Sequence, residues 1–125
     1  MCISAASCGI GLAIAGRCAR EGANIVIAAK SDAEQAKLEG TIHSAAEAVE
    51  AAGGKALAVK CDIRDEAQVE AAVAAAAAHF GGIDAVINNA SAIYPRGTGD
   101  VPMKRYDLMH QANGRGTFMV TQKCL

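Results

Sequence analysis

The chain has 125 residues and a formal net charge of −1 at pH 7, because 12 basic side chains nearly balance 13 acidic ones. This length suits one ordinary domain, and a hydrophobic content of 52% excludes a disordered chain. Near-neutral charge and only 3% aromatic residues argue against a nucleic-acid partner, which would need a basic face or stacking platforms. The apolar stretches are far shorter than the roughly 18 residues that span a bilayer, so we expect no membrane partner.

The five cysteines form an odd set without a Cys-x-x-Cys pair, and with the three histidines they give no zinc-binding spacing. We therefore expect no metal site. Reduced thiols are typical of an intracellular protein, cytoplasmic by default. The apolar start of the chain has no basic residue ahead of it, so we do not interpret it as a signal peptide.

Short runs of β-branched residues alternate along the chain with longer, alanine-rich segments of helical periodicity. We predict strands at 1–4, 24–29, 56–61 and 83–87, and helices at 10–20, 44–52, 65–80 and 103–124. Ser44 and Glu47 match a capping box, which indicates that the second helix begins there. The segment 31–40 before it is interpreted as a polar connection.

Strands separated by helices of this length predict right-handed βαβ crossovers and a parallel sheet. The predicted fold class is therefore α/β, an open doubly wound sheet of about four strands and four helices. Ligands of such sheets bind beyond the carboxyl ends of the strands. Four segments would then meet at one crevice: 4–11, 29–31, 62–63 and 88–92.

The segment after the first strand consists almost entirely of small residues and leads into a helix. Small side chains let the backbone approach a pyrophosphate group, whose charge the helix N-terminus stabilises. The candidate binding residues in this segment are Ser4, Ser7, Cys8, Gly9, Ile10 and Gly11. Taken alone, the glycine spacing is equally compatible with a tight strand–helix turn that binds nothing.

Polar side chains also follow two other predicted strands at the same edge of the sheet. Asp62 comes directly after the third strand, and Asn88 and Asn89 follow the fourth. Such groups can bind an adenosine and a ribose, although Asn and Asp also end strands in turns without any ligand. Three polar strand ends that converge on one crevice favour the binding interpretation.

These segments resemble the short-chain dehydrogenase/reductase family over essentially the whole chain. The family's Thr-Gly-x-x-x-Gly-x-Gly motif corresponds to residues 4–11, and its Asn-Asn-Ala-Gly motif to residues 88–91. The resemblance implies a Rossmann-type fold, with 1–125 as part of an NAD(P)-binding domain. It also implies that Asp62 contacts adenine and that Asn113, the family's helix asparagine, is a catalytic group that supports a proton-relay water. The remaining cofactor-binding residues that it implies are Ile63, Asn89, Ala90 and Ser91.

The segments 28–31, 37–43, 88–93 and 102–109 further resemble the hydroxysteroid dehydrogenase-like protein 2 branch of this family. The end of the second predicted strand indicates which cofactor is bound. An acidic residue there would bind both ribose hydroxyls, whereas this chain has Ala29 followed by Lys30 and Ser31. A cation and a hydroxyl suit a 2′-phosphate, so NADP(H) is favoured over NAD(H).

The resemblance also implies a tyrosine that transfers a proton, a lysine four residues later and a serine that positions the carbonyl. In this chain Tyr94 and Tyr106 are followed four residues later by Thr98 and His110, so the Tyr-x-x-x-Lys pattern is absent. We therefore expect a truncated domain, about half of the family's length, that shows no turnover by itself and retains only Asn113 of the catalytic groups. The complete enzyme would be a homo-oligomer that acts on a small carbonyl substrate.

Two other functions stay open at this point. A non-catalytic nucleotide-binding or association module would pair with a full-length relative through its last helix, which carries several apolar residues. A methyltransferase that uses S-adenosylmethionine would need an acidic residue at the end of the second strand, where Ala29 and Lys30 have the wrong chemistry.

Overall fold

The computed structural model describes residues 1–31 and 40–125, so most of the predicted polar connection at 31–40 lies outside the described residues. A 3-10 turn at Thr98–Asp100 and a π-helix at Gln111–Gly116 complete the elements. The strands and α-helices are β1 (Cys2–Ser4), α1 (Gly9–Arg20), β2 (Asn24–Ala29), α2 (Ile42–Ala51), β3 (Lys55–Lys60), α3 (Glu66–Phe80), β4 (Val86–Ile87), α4 (Met103–His110) and α5 (Thr117–Cys124).

The four strands form one parallel sheet in the order β3-β2-β1-β4. Ile3 of β1 pairs with Ile27 of β2 on one side and with Ile87 of β4 on the other. The chain therefore builds outward from β1 to β3 and then returns to the opposite side of β1. This confirms the predicted doubly wound sheet and puts its topological switch point between β1 and β4, where ligands of such folds bind.

Helices cover both faces of the sheet, as the uninterrupted apolar runs in the strands predict. Ile25 and Ile27 of β2 face α1 and α2, where they pack with Ala15 and Val49. Val26, the residue between them, faces the other side, where the cluster includes residues of α3 and α5. The alternation along β2 therefore divides the core into two layers, and both layers position the strand ends.

The start of α2 corrects the predicted capping box. The helix begins one residue after Thr41, whose Oγ1 accepts a hydrogen bond from the Ser44 backbone N–H (3.1 Å), while Ser44 Oγ accepts one from the Thr41 N–H (2.8 Å). The prediction that Ser44 and Glu47 form the box was wrong. Starting the helix at Ile42 buries Ile42 together with Ala45, and that burial decides the register.

The predicted last helix at 103–124 is one continuous helical segment, but it is not uniformly α-helical. α4 passes into the π-helix Gln111–Gly116, and this passes into α5. β4 is also shorter than predicted, two residues in place of five. Within the described residues, no helix combines the length and the apolar character needed to cross a membrane.

Candidate functional site at the carboxyl ends of the strands

A cavity of about 290 Å³ lies where the carboxyl ends of all four strands meet. Most of its walls are small or apolar side chains, and the charged groups lie at the ends of β2 and β3. The structure therefore brings the four predicted segments to one crevice. The lining residues are Ala5, Ser7, Cys8, Ala28, Ala29, Lys30, Ser31, Cys61, Asp62, Ile63, Arg64, Ala90, Ser91, Ala92, Leu108 and Ala112.

The N-terminus of α1 opens beside this cavity. Cys8 is the N-cap residue in an extended conformation, and its side chain makes no capping hydrogen bond. The first helical amides consequently lack the side-chain acceptor that usually satisfies them, which is the arrangement that binds anions. Gly9 at φ +56° and Ala5 at φ +53° give the preceding loop its tight curvature. Ala5 holds a conformation that costs a non-glycine residue about 1 kcal/mol.

Gly11 lets this loop pack closely against the sheet. A Cβ there would lie 2.7 Å from the Ala5 carbonyl oxygen and 2.7 Å from Asn89 Nδ2. Asn89 Nδ2 in turn donates hydrogen bonds to the carbonyl oxygens of Ser4 (3.1 Å) and Ala5 (3.2 Å). Gly11 and Asn89 thus hold the loop in shape from behind and do not line the cavity. The side chain of Ile10 is 74% exposed and also lies outside it.

Ser4 joins the end of β1 to the end of β4. Its side chain is buried, and its hydroxyl accepts hydrogen bonds from the backbone N–H groups of Asn89 and Ala90 (both 3.0 Å) while donating to the Ile87 carbonyl (3.4 Å). Ser4 therefore positions the Ala90–Ser91 wall of the cavity and is not itself part of the lining.

A charged group of three residues occupies the ends of β2 and β3. Arg64 donates through Nε to both oxygens of the Asp62 carboxylate (3.0 and 3.1 Å), and its Nη2 pairs with Oδ2. Lys30 Nζ lies 3.7 Å from the same Oδ2. These contacts, led by the hydrogen bond from Arg64, lower the pKa of Asp62 to about 2, although partial burial acts in the opposite direction.

The depressed pKa of Asp62 makes stability depend on pH. A lowered pKa means that the stabilisation is present above the unfolded value near 3.8 and is lost as the pH falls through about 2. Between pH 5 and pH 2 we expect the wild type to lose about 2 kcal/mol more unfolding free energy than Asp62→Asn does. Urea unfolding at a series of pH values measures this. Asp84→Asn, an exposed substitution before β4, is the control, and parallel curves for wild type and Asp62→Asn would contradict the assignment.

Asn113 lies in the π-helix and is bonded to the loop after β4. Its Oδ1 accepts from the Ala92 N–H and its Nδ2 donates to the Ala92 carbonyl, both at 2.8 Å. Both ends of the amide are therefore used to hold the loop beside the cavity. Ala92 lines the cavity and Asn113 does not. The role predicted for Asn113 in supporting a water stays a prediction.

Sequence reasoning missed Arg64 and the apolar wall formed by Leu108 and Ala112. Arg64 follows Asp62 by two residues. An acidic and a basic residue at this spacing after a strand indicate an ion pair at the strand end, and this pattern could have identified Arg64. Leu108 and Ala112 are four residues apart and share a helix face, but which face meets the crevice depends on the packing of the helical segment. Among the described residues, no group of three or more His, Cys, Asp or Glu side chains could hold a metal ion.

Comparison with known proteins identifies the family. The family model described as short chain dehydrogenase matches residues 1–125. The chain belongs to this family. Hydroxysteroid dehydrogenase-like protein 2 of Homo sapiens is 54% identical over 123 residues, which is 98% of this chain and 29% of that protein. The same protein of Xenopus tropicalis is also 54% identical. The chain thus spans under a third of the length of these curated relatives.

Solved structures of short-chain dehydrogenases share this fold. A protein described as a dehydrogenase, from Xanthomonas campestris, is 65% identical with a TM-score of 0.95, over 98% of this chain and 45% of that one. A short chain dehydrogenase from Mycobacterium thermoresistibile is 52% identical with a TM-score of 0.96, over 99% of this chain and 44% of that one. A third structure, an NADH-dependent reductase complexed with NAD, is 29% identical with a TM-score of 0.81.

Members of the short-chain dehydrogenase family bind a nicotinamide dinucleotide cofactor. The crevice of this chain fits such a group. An uncapped helix start suits its pyrophosphate, and small side chains let the backbone come close. The exposed Lys30 ammonium group at the end of β2 suits a further phosphate oxygen.

Proposed function

We propose that this chain forms the cofactor-binding half of an NADP(H)-dependent short-chain oxidoreductase that acts on a carbonyl compound or secondary alcohol. The observation that carries the proposal is the convergence of the uncapped start of α1 and the ends of all four strands on one cavity. The family membership supplies the reaction class, and the crevice supplies the binding site. The related reductase is complexed with NAD, which supports a dinucleotide as the ligand.

In this proposal the loop after β1 binds the pyrophosphate. Ser7 and Cys8 line the cavity at the helix start, and Gly9 leaves the backbone accessible because it carries no side chain. Ser4 and Gly11 act from behind by fixing the loop, so their contribution to binding is one of position. Ile63, Ala90 and Ser91 form the opposite walls. Asp62, also in the lining, is proposed to face the adenine.

The choice of NADP(H) rests on the end of β2. Ala29 offers no carboxylate to bind the ribose hydroxyls or to repel a 2′-phosphate. Lys30 and Ser31 follow it, and both line the cavity. The Lys30 side chain is 59% exposed, so its ammonium group is accessible to a phosphate.

A bound nicotinamide dinucleotide would supply the hydride-transfer chemistry of the reaction. The residues of this chain bind and orient that cofactor, and Asn113 holds the Ala92 backbone at the edge of the cavity. Neither Tyr94 nor Tyr106 has a lysine four residues later, so no residue in 1–125 matches the proton-transferring tyrosine of the family. We therefore propose that this chain shows no dehydrogenase turnover by itself.

Replacing Lys30 with glutamine tests the cofactor choice. We expect wild type to bind NADPH more tightly than NADH, and Lys30→Gln to weaken NADPH binding about tenfold because one phosphate contact is lost. NADH binding should change by less than about twofold. Isothermal titration calorimetry measures both. Lys55→Gln is the control, because Lys55 is the first residue of β3 and lies at the edge of the sheet opposite the strand carboxyl ends. Equal affinities in the wild type, or an equal loss for both cofactors, would contradict the preference.

A second candidate function is an association module that pairs with a full-length relative or with another copy through the last helical segment. The exposed apolar side chains of Met103 (65%) and Phe118 (67%) favour it. Isolated protein that stays monomeric by native mass spectrometry, alone and when mixed with a full-length relative, would count against this function. Such a result would leave the cofactor proposal intact.

A further inference from the structure

Arg64 lies beside the cofactor crevice but makes its contacts with Asp62. Of the charged side chains that line the cavity within the described residues, Lys30 and Arg64 are cationic and Asp62 is anionic. The Arg64 side chain is 34% exposed and that of Asp62 is 20% exposed, so this pair is partly withdrawn from water. The Lys30 side chain, at 59%, is more exposed to the solvent. The described lining therefore has a net charge of +1 only because Arg64 is present.

The backbone around Arg64 is fixed from two directions. Arg115 Nη1 of the π-helix donates to the Arg64 carbonyl (3.0 Å), and the Asp62 N–H donates to Gln68 Oε1 of α3 (2.9 Å). Gly116 packs so closely on Ile63 that an added Cβ would lie 2.8 Å from its Cδ1. Because the backbone of this segment is held in place, the Arg64 guanidinium stays on the Asp62 carboxylate. Cofactor binding would then cost these two side chains little further conformational freedom.

Among the described residues, two cationic side chains contact Asp62, and the geometry ranks them. Arg64 reaches both carboxylate oxygens through two nitrogens, whereas Lys30 approaches one oxygen at 3.7 Å, beyond hydrogen-bond distance. A planar bidentate pair is the stronger of the two arrangements. Without Arg64, the carboxylate would have Lys30 as its partner. The ammonium group would then be drawn toward Asp62, and its charge at the ribose would be largely cancelled.

We propose that Arg64 is a specificity-determining residue, which acts by occupying Asp62 and so leaving Lys30 available for the 2′-phosphate of NADP(H). This inference rests on the proposed function, since it assumes the cofactor and the role of Lys30. Arg64 is a positioning residue in this scheme and does not touch the phosphate itself.

The test compares cofactor preference, the ratio of the Kd for NADH to the Kd for NADPH, measured by calorimetry on the whole chain. Any contact of Asp62 with adenine is common to both cofactors and cancels in this ratio. We expect Arg64→Gln to lower the ratio about fivefold. Arg64→Lys, which keeps the charge, should retain most of the ratio. Arg17→Gln breaks an exposed Arg17–Glu21 pair at the C-terminal end of α1 and is the matched control, expected to leave the ratio unchanged.

The same substitution in an Asp62→Asn background identifies the route of the effect. With the carboxylate removed, Asp62 can no longer draw Lys30 away from the phosphate. Arg64→Gln should then change the ratio by less than about twofold. An undiminished effect would mean that Arg64 contacts the phosphate directly and would overturn the proposal. So would an equal loss of affinity for NADPH and NADH in Arg64→Gln. A ratio near one in the wild type would instead overturn the NADP(H) preference on which this inference rests.

Discussion

Gly11→Ala is expected to lower the free energy of unfolding by about 3 kcal/mol and to weaken the binding of both cofactors. The added Cβ would overlap three groups at once: the Ala5 carbonyl oxygen and Asn89 Nδ2, each at 2.7 Å, and the Ala6 Cα at 2.9 Å. Two of these are backbone atoms, which cannot turn away as a flexible side chain can. The structure can accommodate the methyl group only by moving α1 away from the sheet.

Movement of α1 changes the proposed phosphate site directly. Asn89 Nδ2 would lose its short contacts to the Ser4 and Ala5 carbonyls, and the loop between β1 and α1 would open. Cofactor affinity should therefore fall more than the loss of stability alone explains, and it should fall equally for NADPH and NADH. Urea unfolding and calorimetric titration give the two quantities.

Gly16 provides a matched control on the same helix. A Cβ at Gly16 meets nothing within 4 Å, so Gly16→Ala should stabilise the protein by about 0.5–1 kcal/mol through helix propensity alone. Cofactor binding should not change. If Gly11→Ala were as stable as Gly16→Ala, the close approach of α1 to the loop would be refuted.

The sheet could be predicted because each strand is specified by residues that are adjacent in the sequence. The run Asn24–Ala29 is apolar and rich in β-branched residues, which predicts a strand covered on both faces, and the sheet has it between two helical layers. The alternation with helices then restricts the strand order, since crossovers of parallel strands are right-handed. The meeting of 4–11 with 88–92 follows from topology without any knowledge of side-chain contacts.

Other features depend on contacts between distant residues, and sequence patterns do not contain them. The predicted helix at 103–124 contains a π-helix, and the amide of Asn113 within it is satisfied by Ala92, 21 residues earlier in the chain. Asp62 and Arg64 are close in sequence, so their pairing is local. The third member of the charged group, Lys30, is distant in sequence, and the sheet brings it to the same Asp62 oxygen. The start of α2 was misplaced because two Ser/Thr residues compete as caps, and burial of Ile42 decides between them.

Ser4→Ala is expected to lower the free energy of unfolding by about 3 kcal/mol, because one hydroxyl satisfies three backbone groups. Ser4 is 3% exposed, so water cannot replace the lost acceptor for the Ala90 N–H group without entering the sheet, while the Asn89 N–H keeps its hydrogen bond to the Ile87 carbonyl (3.1 Å). β4 has only two residues and pairs with β1 alone in the described structure, so these bonds form much of its attachment. Hydrogen exchange of the Asn89 and Ala90 amides should accelerate more than that of β2.

Ser4→Thr distinguishes the loss of the hydroxyl from disturbance of a buried site. Threonine keeps the oxygen and stands at this position in the family motif, so we expect it to cost less than about 1 kcal/mol and to preserve slow exchange at Asn89 and Ala90. Cofactor affinity should follow the same order, because the Ala90–Ser91 wall of the crevice is fixed by the same oxygen. Equal behaviour of the two variants would mean that the Ser4 hydroxyl does not organise this end of the sheet. A binding loss confined to Ser4→Ala would tie the geometry of β4 to the proposed function.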